Sequence, residues 1–280
     1  MPNLYKHTSS LISPLENYAK TDRQLHWLSQ LVAKANRTFL PKKEDDSHTN
    51  LYFDTLGHRI AGRWIEAANR EILFTLNFAN QSIEIIDHRQ ETLASIPTAS
   101  FTMSEVGKKI EQHLVKLGLN PKGYSDIMHY DMPDYDFSNK VIPVMDQSDL
   151  LEWANYRQIA NEVCRILLGY SQTQAEIRIW PHHFDTGIYI DASESLSIGF
   201  GLAMQNDLAS CPYFYMTGYP KSGTINYEKA PNCADWKWEL GEEWQGAILP
   251  LNLLDGKSID DQKLMVRRFL IETFSWFIKQ

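Results

Sequence analysis

The chain has 280 residues, a formal charge of −8, 43% apolar and 12% aromatic content, enough to build a sizeable core in one large or two small domains. The acidic balance excludes a protein that tracks nucleic-acid phosphates or a polybasic membrane-surface protein, and no apolar run approaches a membrane span. A cytoplasmic setting is expected: "MPNLYKHTSS" lacks the apolar stretch and cleavage site of a leader, and Cys164, Cys211 and Cys233 are widely spaced with no C-x-x-C pair.

"DRQLHWLSQLVAKANR", Asp22 to Arg37, places Leu25, Leu28, Leu31 and Val32 at helical spacing and stops before the polar "PKKEDDSHTN". Short β-rich runs follow ("NLYFDT", "HRIAGRWI", "EILFTLNF", "SIEIIDH", "TLASIP"), and Asn80-Gln81 between two of them predicts a hairpin. A helix then starts at Thr102: Thr102 with Glu105 is a capping box, Val106, Ile110, Leu114 and Leu117 form its stripe, and Gly118 stops it. Residues 120–147 carry turn formers, acids and aromatics without a sustained period, which marks a crossing segment between two halves, 1–119 and 148–280, within one unit.

The second half repeats the order. A long helix from Asp149 to Leu168 presents Tyr156, Ile159, Ala160, Val163 and Leu167 on one side, with Gly169 as its end. Strand-like runs follow, then a helix capped by Ser258 with Asp261, whose apolar face reads Leu264, Met265, Phe269, Phe274, Phe277 and Ile278. Short strand connections and flanking helices predict an α+β fold of antiparallel sheets in two similar helix–strands–helix halves. The residues of the two halves do not align, so duplication is a suggestion only.

The chemistry-bearing stretch is "IRIWPHHFDTGIYI", Ile177 to Ile190. Alternation over Phe184–Ile190 and Leu196–Leu202 predicts a hairpin in which Tyr189 pairs with Ser197, Gly187 with Gly199 and Asp185 with Gly201. One face, Phe184 to Leu202 at every second residue, is a core. The other carries His183, Asp185, Gly187, Tyr189, Gly199 and Gly201. Strand alternation sends His182 and His183 to opposite sides, leaving His183 with Asp185 above a floor of glycines that admits a ligand or a neighbouring backbone. In "PYFYMTGYP", Tyr213, Tyr215 and Tyr219 would wall that floor while Phe214 and Met216 join the core. A purely structural strand junction explains the same pattern: Asp185 capping backbone amides and tyrosines chosen for β-propensity.

Weaker constellations are His129, Asp131, Asp134 and Asp136, as ligands or a solvated acidic loop; Asp87-His88, as a dyad or a turn; and Trp236, Trp238 and Trp244 beside Glu239, Glu242 and Glu243, as a sugar platform or strand packing. Cys164 reads as a small buried hydrophobe. No Gly-rich phosphate loop, nucleophile elbow or H-E-x-x-H zinc motif is present, so no metal site is assigned and no cofactor is named.

From about Glu71 onward, "ILFTLNFANQSIEIIDH", "SEVGKKIEQHLVKLGLN", "IRIWPHHFDTGIY" and "PYFYMTGYP" occur in an order that resembles a bacterial family of uncharacterised proteins, a domain-of-unknown-function family. Relatives share a W-[PG]-x-x-F-D core with His-His or Gly-Ser in the middle. The resemblance implies an α+β cytoplasmic protein without an assigned activity, and it shifts emphasis to Trp180, Phe184 and Asp185; residues 1–70 match least. Three readings follow. The preferred one is a small molecule or partner held by Trp180, Gly187, Tyr189, Gly199, Gly201, Tyr213, Tyr215 and Tyr219. The others are a hydrolase-like or metal-dependent enzyme with His183 as base or ligand and Asp185 orienting it, and a structural protein whose exposed aromatics form a homodimer.

Overall fold

A computed structural model describes residues 14–68 and 70–280; the N-terminal stretch read for a leader lies outside them. Four helices are present among the described residues: α1 (Pro14–Phe39), α2 (Met103–Lys116), α3 (Gln147–Ser171) and α4 (Ile259–Phe277). The first sheet holds β1 (Tyr52–Asp54), β2 (Arg59–Ala61), β3 (Ile65–Ala67), β4 (Arg70–Asn77), β5 (Ser82–Asp87) and β6 (Thr92–Pro97). Its order is β1-β2-β4-β5-β6, with β3 also on β4. The second holds β7 (Arg178–Ile179), β8 (Thr186–Asp191), β9 (Leu196–Ala203), β10 (Tyr213–Pro220), β11 (Lys237–Leu240) and β12 (Gln245–Pro250), in the order β11-β12-β10-β9-β8-β7. Every pairing is antiparallel, so the fold is α+β with two antiparallel sheets flanked by helices.

The two sheets meet edge to edge. Leu51 and Ile179 exchange both backbone hydrogen bonds, at 2.9 and 2.7 Å, which ties the start of the first sheet to β7. Helix α1 packs on α3 beneath this seam, and one core cluster of buried side chains runs through both halves. Asn161 on α3 donates to Phe53 O (3.0 Å) and anchors the second half to β1. The crossing segment is held to α1: Arg37 donates to the carbonyls of Gly123, Tyr124, Asp126 and Ile127, and the buried Tyr124 hydroxyl donates to Leu31 O.

Local signals account for most boundaries. Thr102 and Glu105 form a reciprocal capping box, Asp146 caps α3 through Ser148 N, and Ser258 caps α4 through Asp261 N. The β4–β5 hairpin turns at 78–81, with Gln81 in the left-handed region at φ 49°. Three expectations are corrected. Gly169 does not end α3; the helix continues to Ser171 and Gln172 closes it at φ 54°, because an interior glycine weakens a helix by only ~1 kcal/mol when its hydrogen bonds continue. On α4, Leu264 and Ile278 face solvent, and Val266 and Leu270 take the core positions with Phe269, Phe274 and Phe277. The β8–β9 register is displaced by two residues: Gly187 faces Gly201, Tyr189 faces Gly199 and Asp191 faces Ser197. A shift of two keeps every side chain on its expected face, and the apolar set from Phe184 to Leu202 is buried.

Candidate functional site

The WPHHFD stretch is a turn, not strand. Ile179 pairs with Thr186, and between them His183 N and Phe184 N both donate to Trp180 O, at 3.2 and 2.6 Å. Phe184 sits at φ 57°, which reverses the chain and which a bulky residue adopts only when its surroundings hold it there. Here they do. Its ring is fully buried, stacked on His26 (5.1 Å, 15°) and on Trp153 (5.8 Å, 27°). The turn geometry overturns the expectation that strand alternation separates the two histidines: their ring centroids lie 4.2 Å apart.

Helix α1 holds the turn in place. His26 Nε2 donates to Pro181 O (2.9 Å), and Gln30 Nε2 donates to the same oxygen (2.8 Å). Because Pro181 O can only accept, Nε2 of His26 carries the proton and Nδ1 accepts from the Tyr135 hydroxyl at 2.8 Å. Burial lowers the His26 pKa to about 4, consistent with this neutral tautomer. One helical turn earlier, buried Asp22 accepts from Trp153 Nε1 and from Arg157, both at 2.7 Å. The fully buried Arg157 reaches on to Thr186 Oγ1 (2.9 Å) and Leu202 O (3.3 Å), fixing the ends of β8 and β9.

Beside the turn lies a cavity of about 380 Å³. The turn gives it His182, His183 and Asp185, β10 gives Tyr213, Tyr215 and Tyr219, and the β9–β10 connection gives Gln205 and Asn206. His26, Pro133, Tyr135 and Trp244 also line it, and Ala203, Met204 and Leu208 complete its walls. Asp185 Oδ2 accepts from the Tyr215 hydroxyl (2.6 Å), while Oδ1 is shut off from solvent without a partner. Burial raises the Asp185 pKa above the usual carboxylate range, against the opposing pull of Tyr215. Burial also lowers the His182 pKa to about 4, with His183 adding to the effect.

The sequence-predicted site is therefore brought together in part. His183, Asp185, Tyr213, Tyr215 and Tyr219 share the cavity, but His183 makes no hydrogen bond or ion pair with Asp185; the carboxylate's partner is Tyr215. Trp180 stands outside, half-buried, with the Arg178 guanidinium 5.9 Å away. Tyr189 is 51% exposed and leans on Tyr219. The glycine floor is covered rather than open. A Cβ on Gly187 or Gly201 would collide with the carbonyl oxygen of Phe200 or Thr186 on the neighbouring strand, and one on Gly199 would meet the Tyr219 ring at 3.2 Å. These glycines let two backbones and one ring approach; they do not line the cavity.

The weaker constellations make other contacts: Asp131 borders a cavity between α1 and α2, and Trp236 and Trp238 border one beside β11. His129 pairs with Asp46 (2.9 Å), and among the described residues no three His, Cys, Asp or Glu side chains are grouped to hold a metal ion. Asp87 caps the β5–β6 turn through the amides of Arg89 and Glu91. Trp236 and Trp238 pack with Phe269, Trp276 and Phe277 between β11 and α4, and only Trp244 reaches the cavity. Cys164 is buried and burial pushes its thiol pKa up. Sequence reasoning missed His26, Tyr135 and Asn206, and it grouped Trp244 with Trp236 and Trp238 rather than with this cavity. For His26 a signal existed: Asp22, His26, Gln30 and Lys34 recur every fourth residue along α1, and the first three are buried, a polar stripe beside the apolar one.

No helix among the described residues is long and apolar enough to cross a membrane. No family model, curated protein or solved structure matches this chain.

Proposed function

We propose that this protein binds, without transforming, a small planar molecule with a hydrogen-bonding edge in the cavity between the WPHHFD turn and β10. The supporting observation is convergence. Separate segments of the chain bring tyrosine and tryptophan rings to one concavity together with two amides, a carboxyl and three imidazoles, the composition of a small-molecule site. The rings supply stacking area; Asn206, Asp185 and the histidines supply a few directional contacts.

A hydrolase-like reading needs His183 as base with Asp185 orienting it. Asp185 makes no hydrogen bond or ion pair with His183 and instead accepts from Tyr215 through Oδ2, so binding is the favoured reading. The free cysteines fit the cytoplasmic placement included in this proposal; kinship with the bacterial family that the motifs resemble is part of the same proposal. Ligand-observed NMR with adenine, uracil and quinazoline, against cyclohexanol as a non-planar control, tests it. Saturation transfer to the planar set that disappears in Tyr219→Ala is the expected result. Binding of none of the three, or binding indifferent to Tyr219→Ala, would sink it. A homodimer through exposed aromatics is checked separately by light scattering.

A further inference from the structure

A second cavity, about 790 Å³, opens between α1, α2 and the crossing segment. Its walls are mainly apolar, with Met103, Met128 and Met132 contributed by two of those elements and Trp27 by the third. Methionine is the side chain that adapts to varied apolar shapes. At its margin stands Lys34, half-buried, with no carboxylate within ion-pairing distance among the described residues. The nearby Glu111 is engaged instead by the Ser125 hydroxyl at 2.6 Å. Two polar atoms of the lining, Trp27 Nε1 and Ser138 Oγ, have no partner.

Gly107 gives an independent indication. It lies inside α2 with an ordinary helical backbone, where glycine costs roughly 1 kcal/mol relative to alanine. A Cβ built on it would meet nothing nearer than Ser125 Oγ at 4.0 Å, so no packed neighbour demands its absence. Gly107 and Ser125 both line the cavity; the missing side chain widens it. An apolar chamber kept open by a helix-weakening glycine, with half-buried Lys34 inside its margin, exposed Lys108 and Asp131 at its rim, and neither lysine joined to a carboxylate among the described residues, is suited to a chain with an anionic end.

We propose that this cavity is a second binding site and that it takes a single-chain carboxylate amphiphile, its chain among the methionines and its head on Lys34. Burial lowers the Lys34 pKa, and an anion placed beside the ammonium would reverse that shift. The site is separate from the one between the WPHHFD turn and β10, although both touch α1.

Isothermal titration of the full chain with decanoate, decan-1-ol and decylamine tests the assignment. Decanoate is expected to bind saturably, one per chain, and about tenfold more tightly than the alcohol. Lys34→Met should remove that difference without weakening the alcohol. Gly107→Leu, which fills the chamber while improving helix propensity, should abolish binding of both and leave the thermal midpoint unlowered; Met132→Trp serves if that variant does not fold. Tyr215→Phe should leave decanoate binding unchanged, so the two sites fail independently. Absence of saturable decanoate binding, decylamine binding as tight as decanoate, or full affinity in the filled variant overturns the proposal.

Discussion

Replacing His26 by glutamine should flatten the acid limb of the stability profile. In the folded chain His26 is neutral, donating from Nε2 to Pro181 O and accepting at Nδ1 from Tyr135, and its pKa is held at about 4 against 6.5 for a free imidazole. A depressed histidine pKa means that the unfolded chain binds more protons than the folded one between those two values. Folding is therefore strongest above pH 6.5 and loses stability as pH falls. Linkage gives a loss of about 2 kcal/mol at pH 5 and about 3 kcal/mol at pH 4 relative to neutral pH. Glutamine preserves a donor for Pro181 O and does not titrate.

The assay is urea unfolding of wild type and His26→Gln at pH 7, 6, 5 and 4, extrapolated linearly to water. The variant should be weaker at pH 7, and the two curves should converge as pH falls. Asp185 and Asp22 act with the opposite sign: burial raises both pKa values, so their contribution is present in acid and fades as pH rises through the raised folded values. They enter both curves alike, and the difference isolates His26. His182, lowered to about 4 but more exposed, adds a smaller effect of the same sign as His26, discounted for solvent screening. Parallel curves from pH 7 to 4, or an imidazolium signal for His26 at pH 5.5 by NMR, would refute the reasoning.

Asp22→Ala leaves the fully buried Arg157 charge without its carboxylate and should cost ~3–5 kcal/mol, whereas Asp22→Leu with Arg157→Met should recover most of the loss; a urea-based double-mutant cycle measures both. Tyr215→Phe removes the donor on Asp185 Oδ2, costs ~1–3 kcal/mol and raises the Asp185 pKa further, seen as a later carboxyl-carbon titration by NMR. Gly201→Ala drives a methyl into the Thr186 carbonyl and should cost ~1–3 kcal/mol, against less than ~1 kcal/mol for Gly199→Ala, where only the Tyr219 ring must yield. Equal costs for the two glycine variants would count against backbone approach as the reason for these glycines.

Periodicity carried the architecture. The capped helices, the Asn80-Gln81 hairpin and the split of β8 and β9 into a core face and a Gly/Tyr face follow from local spacing, which the folded chain obeys. What spacing leaves open is anything set by a partner distant in sequence. A register displaced by two residues conserves every face, so alternation cannot distinguish the Gly187–Gly201 pairing from Gly187–Gly199. Alternation also fails at residues 180–184, because the positive φ of Phe184 is imposed by His26 and Trp153, which lie on two helices remote in the chain. Asp185 likewise looks like the partner of His183 until β10 places Tyr215 beside it.

The polar stripe of α1 explains why this junction can support a site. Asp22 fixes Arg157 and, through it, the ends of β8 and β9; His26 and Gln30 both hold the Pro181 carbonyl; Lys34 borders the second cavity. Gln30 also accepts from the Tyr130 hydroxyl (2.7 Å), and Tyr130 lies 5.5 Å from His182. Gln30 and Tyr130 line the second cavity, whereas His26 and His182 line the first. One turn of α1 thus forms the partition between two chambers, and one carbonyl oxygen receives a donor from each side of it. Buried polar groups satisfied from both directions have few alternative arrangements, since breaking either bond leaves an unpaired donor in a dry interior. The WPHHFD turn is held more firmly than an ordinary surface loop for this reason, and the strained Phe184 is sustained by the same contacts that aim His182, His183 and Asp185 into the cavity.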